Sequence, residues 1–188
     1  SSFPKVIVVL NVGGMVDTDW FVRDEKIQAT LMAWQGGIEG GLAAAELLIG
    51  EGNPCGKLTD TFAKCLEDYP STQGFHKSDD YVEYNEDIYV GYRYFDTAGV
   101  PVNYPFGYGL SYTTFEYENL QVKPDGVTFT IRNTGKYDGA EIAQLYVGLP
   151  GAKVFRPVKE LKGFTKVFLK TGEEKTVTIK FDDKTFRY

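Results

Sequence analysis

The stretch Val6-Ile7-Val8-Val9-Leu10 is a run of five apolar, mostly β-branched residues, and Asn11-Val12-Gly13-Gly14 follows it directly. Such a run, ended by glycines, predicts a strand that is buried on both faces, as in α/β sheets. A second strand is predicted at residues 27–34. Residues 38–49 then carry apolar side chains at helical spacing, and Gly50 stands where a helix cap is expected. This alternation predicts a layered α/β sheet.

From residue 113 onward the pattern changes to the period-two alternation of antiparallel strands. It is clearest at residues 127–131, 142–147 and 175–181, and turn signals such as Asn133-Thr134-Gly135 separate these segments. A sandwich of this kind has about seven strands, whereas about five can be recognised before Tyr188. We therefore expect an antiparallel sandwich that is truncated at its C-terminus.

Between these two patterns lies a segment that is unusually rich in aromatic residues. Eight tyrosines fall between Tyr81 and Tyr112. A flexible linker would be rich in Gly and Ser instead, so we expect an ordered connector. Acidic residues outnumber basic ones over residues 1–112, and the balance reverses over residues 113–188, which also suggests two modules.

Composition and charge narrow the classes of protein to which the chain can belong. Its 188 residues include 20 basic and 26 acidic side chains, for a net charge of −6, and 43% are hydrophobic. This is enough apolar material for a core. The negative charge disfavours a nucleic-acid partner, which needs a clustered basic face. The lysines from Lys153 to Lys184 alternate with apolar residues and are interpreted as the solvated face of a sheet.

Neither a membrane segment nor a targeting signal is recognised. No apolar run approaches the roughly 20 residues of a membrane-spanning helix, and the N-terminus lacks the basic-then-apolar order of a secretory signal. Cys55 and Cys65 are expected to be free thiols, with a single disulfide as the alternative. Localisation stays open, and free thiols favour the cytoplasm.

Motifs for nucleotides and for nucleophilic catalysis are incomplete. The glycines at 36–41 do not form the G-x-G-x-x-G dinucleotide fingerprint, and Gly56-Lys57 lacks the first glycine and the Ser or Thr of a P-loop. His76 is the single histidine, without a nucleophile at a diagnostic position. It is therefore expected on the surface.

Carboxylates are the more serious candidates, because glycoside cleavage needs two of them on opposite sides of one bond. Asp19 and Glu39 have polar and aromatic company, and Glu83, Glu86 and Asp87 lie among tyrosines that could stack on a sugar ring. The alternative is structural: Asp19 caps a short helix, Glu39 lies in the first turn of a helix, and the cluster is solvated. We favour the structural interpretation for each.

A series of motifs stands in fixed order along the chain, at residues 6–13 (VIVVLNVG), 34–41 (WQGGIEGG), 53–58 (NPCGKL), 84–96 (YNEDIYVGYRYFD) and 104–113 (YPFGYGLSYT). Together they resemble family 3 glycoside hydrolases of the β-glucosidase type. Residues 133–135, 139–147 and 156–164 are similar to the fibronectin type III-like domain of that family. Several ordered motifs are stronger evidence than any single one.

The resemblance implies a partial α/β sandwich domain followed by an antiparallel fibronectin type III-like β-sandwich. Residues 1–74 would be the C-terminal part of the α/β sandwich domain, residues 75–112 the aromatic-rich connector, and residues 113–188 most of the fibronectin-like domain. The sheet at Val6–Leu10 would then lack neighbouring strands. We expect the isolated chain to associate through this unprotected apolar surface.

The resemblance also implies that this chain belongs to a retaining, exo-acting hydrolase of terminal β-linked sugars. The family's nucleophile is an aspartate in a (β/α)₈ barrel, and its general acid/base is a glutamate upstream of the strand at Val6–Leu10. Neither role is carried over to Asp19 or Glu39, because Asp19 aligns with a connecting segment and Glu39 with a helix-start motif. No catalytic residue and no metal or cofactor site is therefore expected here.

The isolated chain is accordingly predicted to be inactive. The complete enzyme would bind the substrate, a β-glucoside or oligosaccharide, and the missing barrel would be the partner of this chain. The alternative is a noncatalytic carbohydrate-binding or scaffold module, in which the tyrosines of residues 81–112 form a sugar platform. Sugar specificity, domain order and oligomeric state stay open.

Overall fold

The computed structural model of the chain describes residues 3–187. The chain divides into two compact units. We call the described residues of Ser1–Leu48 together with Thr59–Phe106 the α/β unit, and Ile49–Leu58 together with the described residues of Gly107–Tyr188 the β unit.

The first half of the α/β unit follows the predicted alternation of strands and helices. Its elements are β1 (Val6–Leu10), α1 (Asp19–Val22), β2 (Ile27–Met32) and α2 (Gly40–Ile49). β1 and β2 pair in parallel, as expected of an α/β sheet. Gly50 follows α2 with φ of +82°, a left-handed conformation that glycine adopts without cost and that commonly ends helices.

The prediction that β1 is buried on both faces is wrong for the described chain. Ile7 and Val9 are 53% and 44% exposed, whereas Leu10 is buried. The reason is that β1 and β2 form a sheet of only two strands, and no side chain of α2 is buried either. An apolar strand of the parallel type needs layers on both faces.

The second half of the α/β unit is built around aromatic side chains. Two short 3₁₀ helices (Leu66–Asp68 and Pro70–Gln73) and α3 (Tyr92–Ala98) lie between β3 (Phe62–Ala63) and β4 (Val102–Tyr104), which pair antiparallel. Phe62 and Phe95 are almost fully buried. The Tyr69 ring meets Phe95 edge to face at 5.4 Å. The Tyr69 hydroxyl donates to the carbonyl of Thr61 at 2.9 Å.

The β unit contains five antiparallel strands, the number recognised in the sequence. They are β5 (Phe115–Lys123), β6 (Gly126–Asn133), β7 (Gly139–Val147), β8 (Glu160–Leu169) and β9 (Glu174–Lys180). One sheet has the order β5-β6-β9, and the other pairs β7 with β8. The alternating segments at 127–131, 142–147 and 175–181 fall on β6, β7 and β9.

The core of the β unit lies between its two sheets. Val127, Phe129 and Ile131 alternate along β6 and are buried together with Ala143 of β7 and Leu169 of β8. A Cβ added at Gly163 of β8 would lie 2.7 Å from Cγ2 of Ile179, so the absence of a side chain there allows the close approach of β8 and β9. The fold class is therefore α/β followed by an antiparallel β-sandwich, as predicted.

No helix formed by residues 3–187 is both long enough and apolar enough to cross a membrane.

Candidate functional site

Asp19, the first acidic candidate, is held by neighbouring polar groups within the α/β unit. The N-cap of α1 is Thr18 rather than Asp19, so the predicted capping role of Asp19 is wrong. Asn103 Nδ2 donates to the buried Thr18 hydroxyl at 2.8 Å and to Asp19 Oδ1 at 3.2 Å. Arg23, one helical turn later, forms an ion pair with the Asp19 carboxylate. These contacts tie α1 to β4.

Glu39 lies immediately before α2 rather than in its first turn, because the helix begins at Gly40. Its backbone carbonyl accepts a hydrogen bond from the amide of Ala43 at 2.9 Å. The residue before a helix typically contributes the first helical acceptor in this way. The predicted position of Glu39 in the helix was therefore wrong by one residue. Its backbone contact belongs to the start of α2.

The third acidic candidate is the cluster of Glu83, Glu86 and Asp87. Glu83 forms an ion pair with Lys77 at 2.8 Å between Nζ and Oε2, and Glu83 and Asp87 are exposed. The neighbouring Tyr84 is 86% exposed. An exposed ion pair of this kind contributes little to stability, so the cluster has the character of a solvated surface.

His76 is exposed, as predicted, and its ring lies 4.3 Å from that of Phe75. Cys55 and Cys65 are both free thiols, which confirms the prediction. Among residues 3–187, no three His, Cys, Asp or Glu side chains form a group that could hold a metal ion.

Two polar sites with several hydrogen-bond partners lie in the β unit, and sequence reasoning did not identify them. Asn53 is the centre of the first. Its Nδ2 donates to the carbonyl of Asp138 at 2.9 Å, and its Oδ1 accepts from the Ser111 hydroxyl at 2.8 Å and from the Tyr112 amide at 2.9 Å. One side-chain amide thereby joins three segments that are far apart in sequence.

Lys57 is the centre of the second polar site. Its Nζ lies 3.1 Å from Oε2 of Glu141 and donates to the carbonyl of Gly109 at 2.9 Å. The Tyr117 hydroxyl donates to Oε1 of Glu141 at 3.1 Å. Burial and the Glu141 carboxylate raise the pKa of Tyr117, so this phenol stays protonated as a donor. In this site, the Glu141 carboxylate is bound by both the Lys57 ammonium group and the Tyr117 phenol.

The β unit also contains two further polar groups with little exposure. Glu160 accepts from Arg156 at 3.0 Å and lies 3.6 Å from Lys162 Nζ. Asn133 is fully buried, and its amide donates to the carbonyls of Tyr137 and Leu169 at 2.8 and 3.1 Å. Buried polar groups need such partners.

An open groove on the β unit has mixed polar and aromatic walls. It is lined by Glu51, Asn53, Cys55, Asp138, Lys166 and Phe168, among others. Two of its polar side chains have structural partners, since Asn53 makes the hydrogen bonds described above and the Asp138 carboxylate accepts from the backbone amide of Thr171 at 2.8 Å. The polar sites of the β unit thus hold segments of the chain together.

The signal that could have found the Asn53 and Lys57 sites was present in the sequence. Both residues belong to the motif at residues 53–58, which carried part of the family resemblance, and Ser111 and Tyr112 belong to that at residues 104–113. Their contacts explain why these residue types occur there. The contacts of Asn53 and Lys57 join residues 52 to 85 positions apart, which no local pattern reveals.

Comparison with known protein families supports the sequence resemblance. Residues 1–112 match the model of the glycosyl hydrolase family 3 C-terminal domain. Residues 141–188 match the model of the fibronectin type III-like domain.

Individual proteins agree with these matches. The chain is 54% identical to Beta-glucosidase A of Butyrivibrio fibrisolvens over 95% of its own length and 24% of that protein's. It is 43% identical to the exo-alpha-(1->6)-L-arabinopyranosidase of Bifidobacterium breve, over 98% of the chain and 25% of that protein.

Among solved structures, beta-glucosidase 3B from Thermotoga neapolitana in complex with glucose superposes with a TM-score of 0.90 at 42% identity, covering 96% of this chain and 26% of that one. The chain thus spans about a quarter of the length of the relatives that it matches. By sequence and by fold, it belongs to the family 3 glycoside hydrolases.

Proposed function

We propose that this chain is a segment of a retaining, exo-acting glycoside hydrolase of the β-glucosidase type that acts on terminal β-linked sugars. The observation that carries the proposal is the match of residues 1–112 to the glycosyl hydrolase family 3 C-terminal domain, followed by a fibronectin type III-like match at residues 141–188. Relatives named as β-glucosidases support it, and so does their length, about four times that of this chain.

Within that enzyme the segment supplies structural and domain-packing parts and lacks the catalytic pair. A retaining hydrolase needs two carboxyl groups about 5–5.5 Å apart, one as nucleophile and one as acid/base. Asp19 is occupied by Arg23 and Asn103, Glu83 by Lys77, and Glu39 is placed for helix initiation. The aspartate nucleophile and the glutamate acid/base are proposed to lie outside this segment, and the missing barrel is the partner that would supply the nucleophile.

We propose the corresponding division of the chain into three parts. Residues 1–74 form the C-terminal part of the α/β sandwich domain, residues 75–112 an aromatic-rich connector, and residues 113–188 most of the fibronectin-like domain. The end of the first family match at residue 112 supports the boundary between residues 112 and 113.

An assay with an aryl β-glucoside tests the assignment of catalysis. The 188-residue chain should show no turnover, whereas the full-length protein that carries it should be active. Turnover by the 188-residue chain that is lost in Asp19→Asn or Glu86→Gln would contradict the proposal, because the catalytic carboxylates would then lie within the segment. Lys77→Ala serves as a control, since it disturbs only an exposed ion pair.

The second candidate function is a noncatalytic carbohydrate-binding or scaffold module. The observation that favours it is the exposure of Tyr81 and Tyr84, which are 57% and 86% exposed. Titration of the chain with glucose and cello-oligosaccharides, followed by the fluorescence of Trp20 and Trp34, separates the two functions. Saturable binding that is lost in Tyr84→Ala favours the module, and no binding favours a segment of a larger enzyme.

A further inference from the structure

The carboxyl ends of β1 and β2 meet at one edge of the α/β unit. The two strands are parallel, and the last hydrogen bond between them runs from the amide of Ala33 to the carbonyl of Leu10 at 2.9 Å. The chain therefore leaves both strands at the same edge, through residues 11–14 and 33–37. In open parallel sheets, ligands bind beyond the carboxyl ends of the strands.

The two connections at this edge carry side chains suited to a sugar. Asn11 and Gln35 present amides, and Trp34 presents a partly exposed indole. Amides can both donate to and accept from sugar hydroxyls, and an aromatic face can pack against the C–H groups of a pyranose ring. A few polar groups beside an aromatic surface are typical of small-ligand sites.

The connections are packed tightly enough to hold these groups in place. A Cβ added at Gly13 would lie 2.9 Å from Nε2 of Gln35, so the Gln35 amide occupies the space that a side chain at Gly13 would need. A Cβ added at Gly36 would lie 2.8 Å from Cα of Gly40. The loop that follows Trp34 is thus pressed against the start of α2.

Trp34 itself has an unfavourable backbone conformation. Its φ is +53°, in the left-handed region that a bulky side chain rarely adopts and that glycine adopts freely. Asn119, with φ of +56° at the register shift of β5, is an instructive contrast, because asparagine tolerates this region well. Strain retained by a bulky residue is characteristic of functional sites.

We infer that Trp34 contacts the sugar of the glycoside substrate in the complete enzyme, with Gln35 as an adjoining polar contact. The inference rests on the proposed function and deepens it by naming a substrate-contacting residue within this segment. A tryptophan that served only packing would gain nothing from the strained backbone, whereas one that must present its ring at the edge of the sheet does.

The test compares three variants of the full-length protein, Trp34→Gly, Trp34→Phe and the control Trp20→Ala, which removes the second tryptophan, an exposed one. The readouts are the binding of glucose by calorimetry, KM and kcat for an aryl β-glucoside, and Tm. We expect Trp34→Gly to weaken glucose binding and raise KM roughly tenfold. Trp34→Phe should retain most of the affinity, and Trp20→Ala should bind like the unmodified protein.

Stability separates the effect of the backbone conformation from the loss of the indole. Glycine fits a positive φ, so Trp34→Gly should have a higher Tm than Trp34→Ala. Glucose binding unchanged within about twofold in Trp34→Gly overturns the inference. Equal losses in Trp34→Gly and Trp34→Phe overturn it as well, and so does a Trp34→Gly protein that does not fold, because packing would then be the role of the indole.

The outcome is separable from that of the proposed function. If the unmodified full-length protein does not turn over the aryl β-glucoside, the proposed activity fails, and the calorimetric binding of glucose still tests Trp34. If the protein is active and the Trp34 variants bind glucose normally, the inference alone fails.

Discussion

The α/β unit and the β unit differ in how far their apolar side chains are buried. In the β unit, residues from both sheets form one cluster, in which Ile131 and Leu169 are fully buried. In the α/β unit, β1 leaves Ile7 and Val9 about half exposed. Antiparallel strands joined by short turns can close a core from nearby sequence, whereas a parallel pair needs covering layers supplied by other parts of the chain.

The largest difference is expected from the same substitution made in each unit. Leu169→Ala removes a fully buried side chain from the core of the β unit and should lower the free energy of unfolding by about 2–5 kcal/mol. Leu42→Ala in α2, where the side chain is 59% exposed, should change it by about 0.5 kcal/mol or less. Denaturant unfolding followed by far-UV circular dichroism measures both. Equal losses would remove the contrast between the two units.

A smaller difference is expected for two asparagines that join distant segments. Asn133→Ala leaves buried groups unsatisfied, among them the hydroxyl of Thr113, which donates to its Oδ1 at 2.7 Å, and should cost about 2–3 kcal/mol. Asn103→Ala, in the partly exposed contact with Thr18, should cost about 1 kcal/mol. The same unfolding measurement ranks them, and a larger loss for Asn103→Ala would show that the α/β unit depends more on its polar contacts.

The exposed surface of β1 should make the 188-residue chain associate. Ile7→Lys places a charge on this surface and should reduce the association seen by sedimentation velocity over a wide concentration range. Val122→Lys is the matched control, because Val122 is 73% exposed on β5 of the other unit. A chain that is monomeric at every concentration would contradict the predicted association. An equal response to both substitutions would show that the association does not depend on β1.

The smallest effect is the dependence of stability on pH that arises from two carboxyl groups of the β unit. The hydroxyl of Thr185 donates to Oδ1 of Asp182 at 2.8 Å and lowers the pKa of that carboxyl. A hydrogen bond from the backbone amide of Lys170 lowers the pKa of Glu173 in the same way. A lowered folded-state pKa stabilises fully above the ordinary carboxyl pKa of about 4, and this stabilisation is lost as the pH falls through the folded-state value.

In the Asp182→Asn variant, the free energy of unfolding should therefore decrease slightly less on acidification than in the unmodified chain. Unfolding midpoints measured between neutral and acid pH, together with NMR titration of the carboxyl groups, provide the check. A midpoint that falls as steeply with acid in Asp182→Asn as in the unmodified chain would assign the sensitivity to other groups.

Local patterns predicted the regular elements well where one period dominates. The apolar run at β1, the helical spacing of α2 with its glycine cap, and the alternation along β6, β7 and β9 were all recognised. α3 was missed because its residues Tyr92–Ala98 are aromatic and polar without a clear apolar stripe, although Gly99, with φ of +66°, marks its end. The helix positions predicted for Asp19 and Glu39 were each wrong by one residue, because helix boundaries depend on hydrogen bonds that composition does not specify.

The candidate site was less accessible to sequence reasoning. Acidic residues could be enumerated, but their partners could not, so the ion pair of Asp19 with Arg23 and the Asn103 contact emerged only from the fold. Trp34 carried no signal as a single residue, since its positive φ is a property of the backbone between β2 and α2.

By itself, the sequence determined the succession of an α/β segment and an antiparallel β segment, together with membership of the family 3 glycoside hydrolases. Periodicity and short motifs are properties of the sequence itself, so they can be recognised without the tertiary structure. The tertiary structure alone decided which apolar faces are covered and which polar groups meet. Asn53 and Asp138 lie 85 positions apart, and a contact over that distance depends on the path by which the chain returns, which no local period encodes.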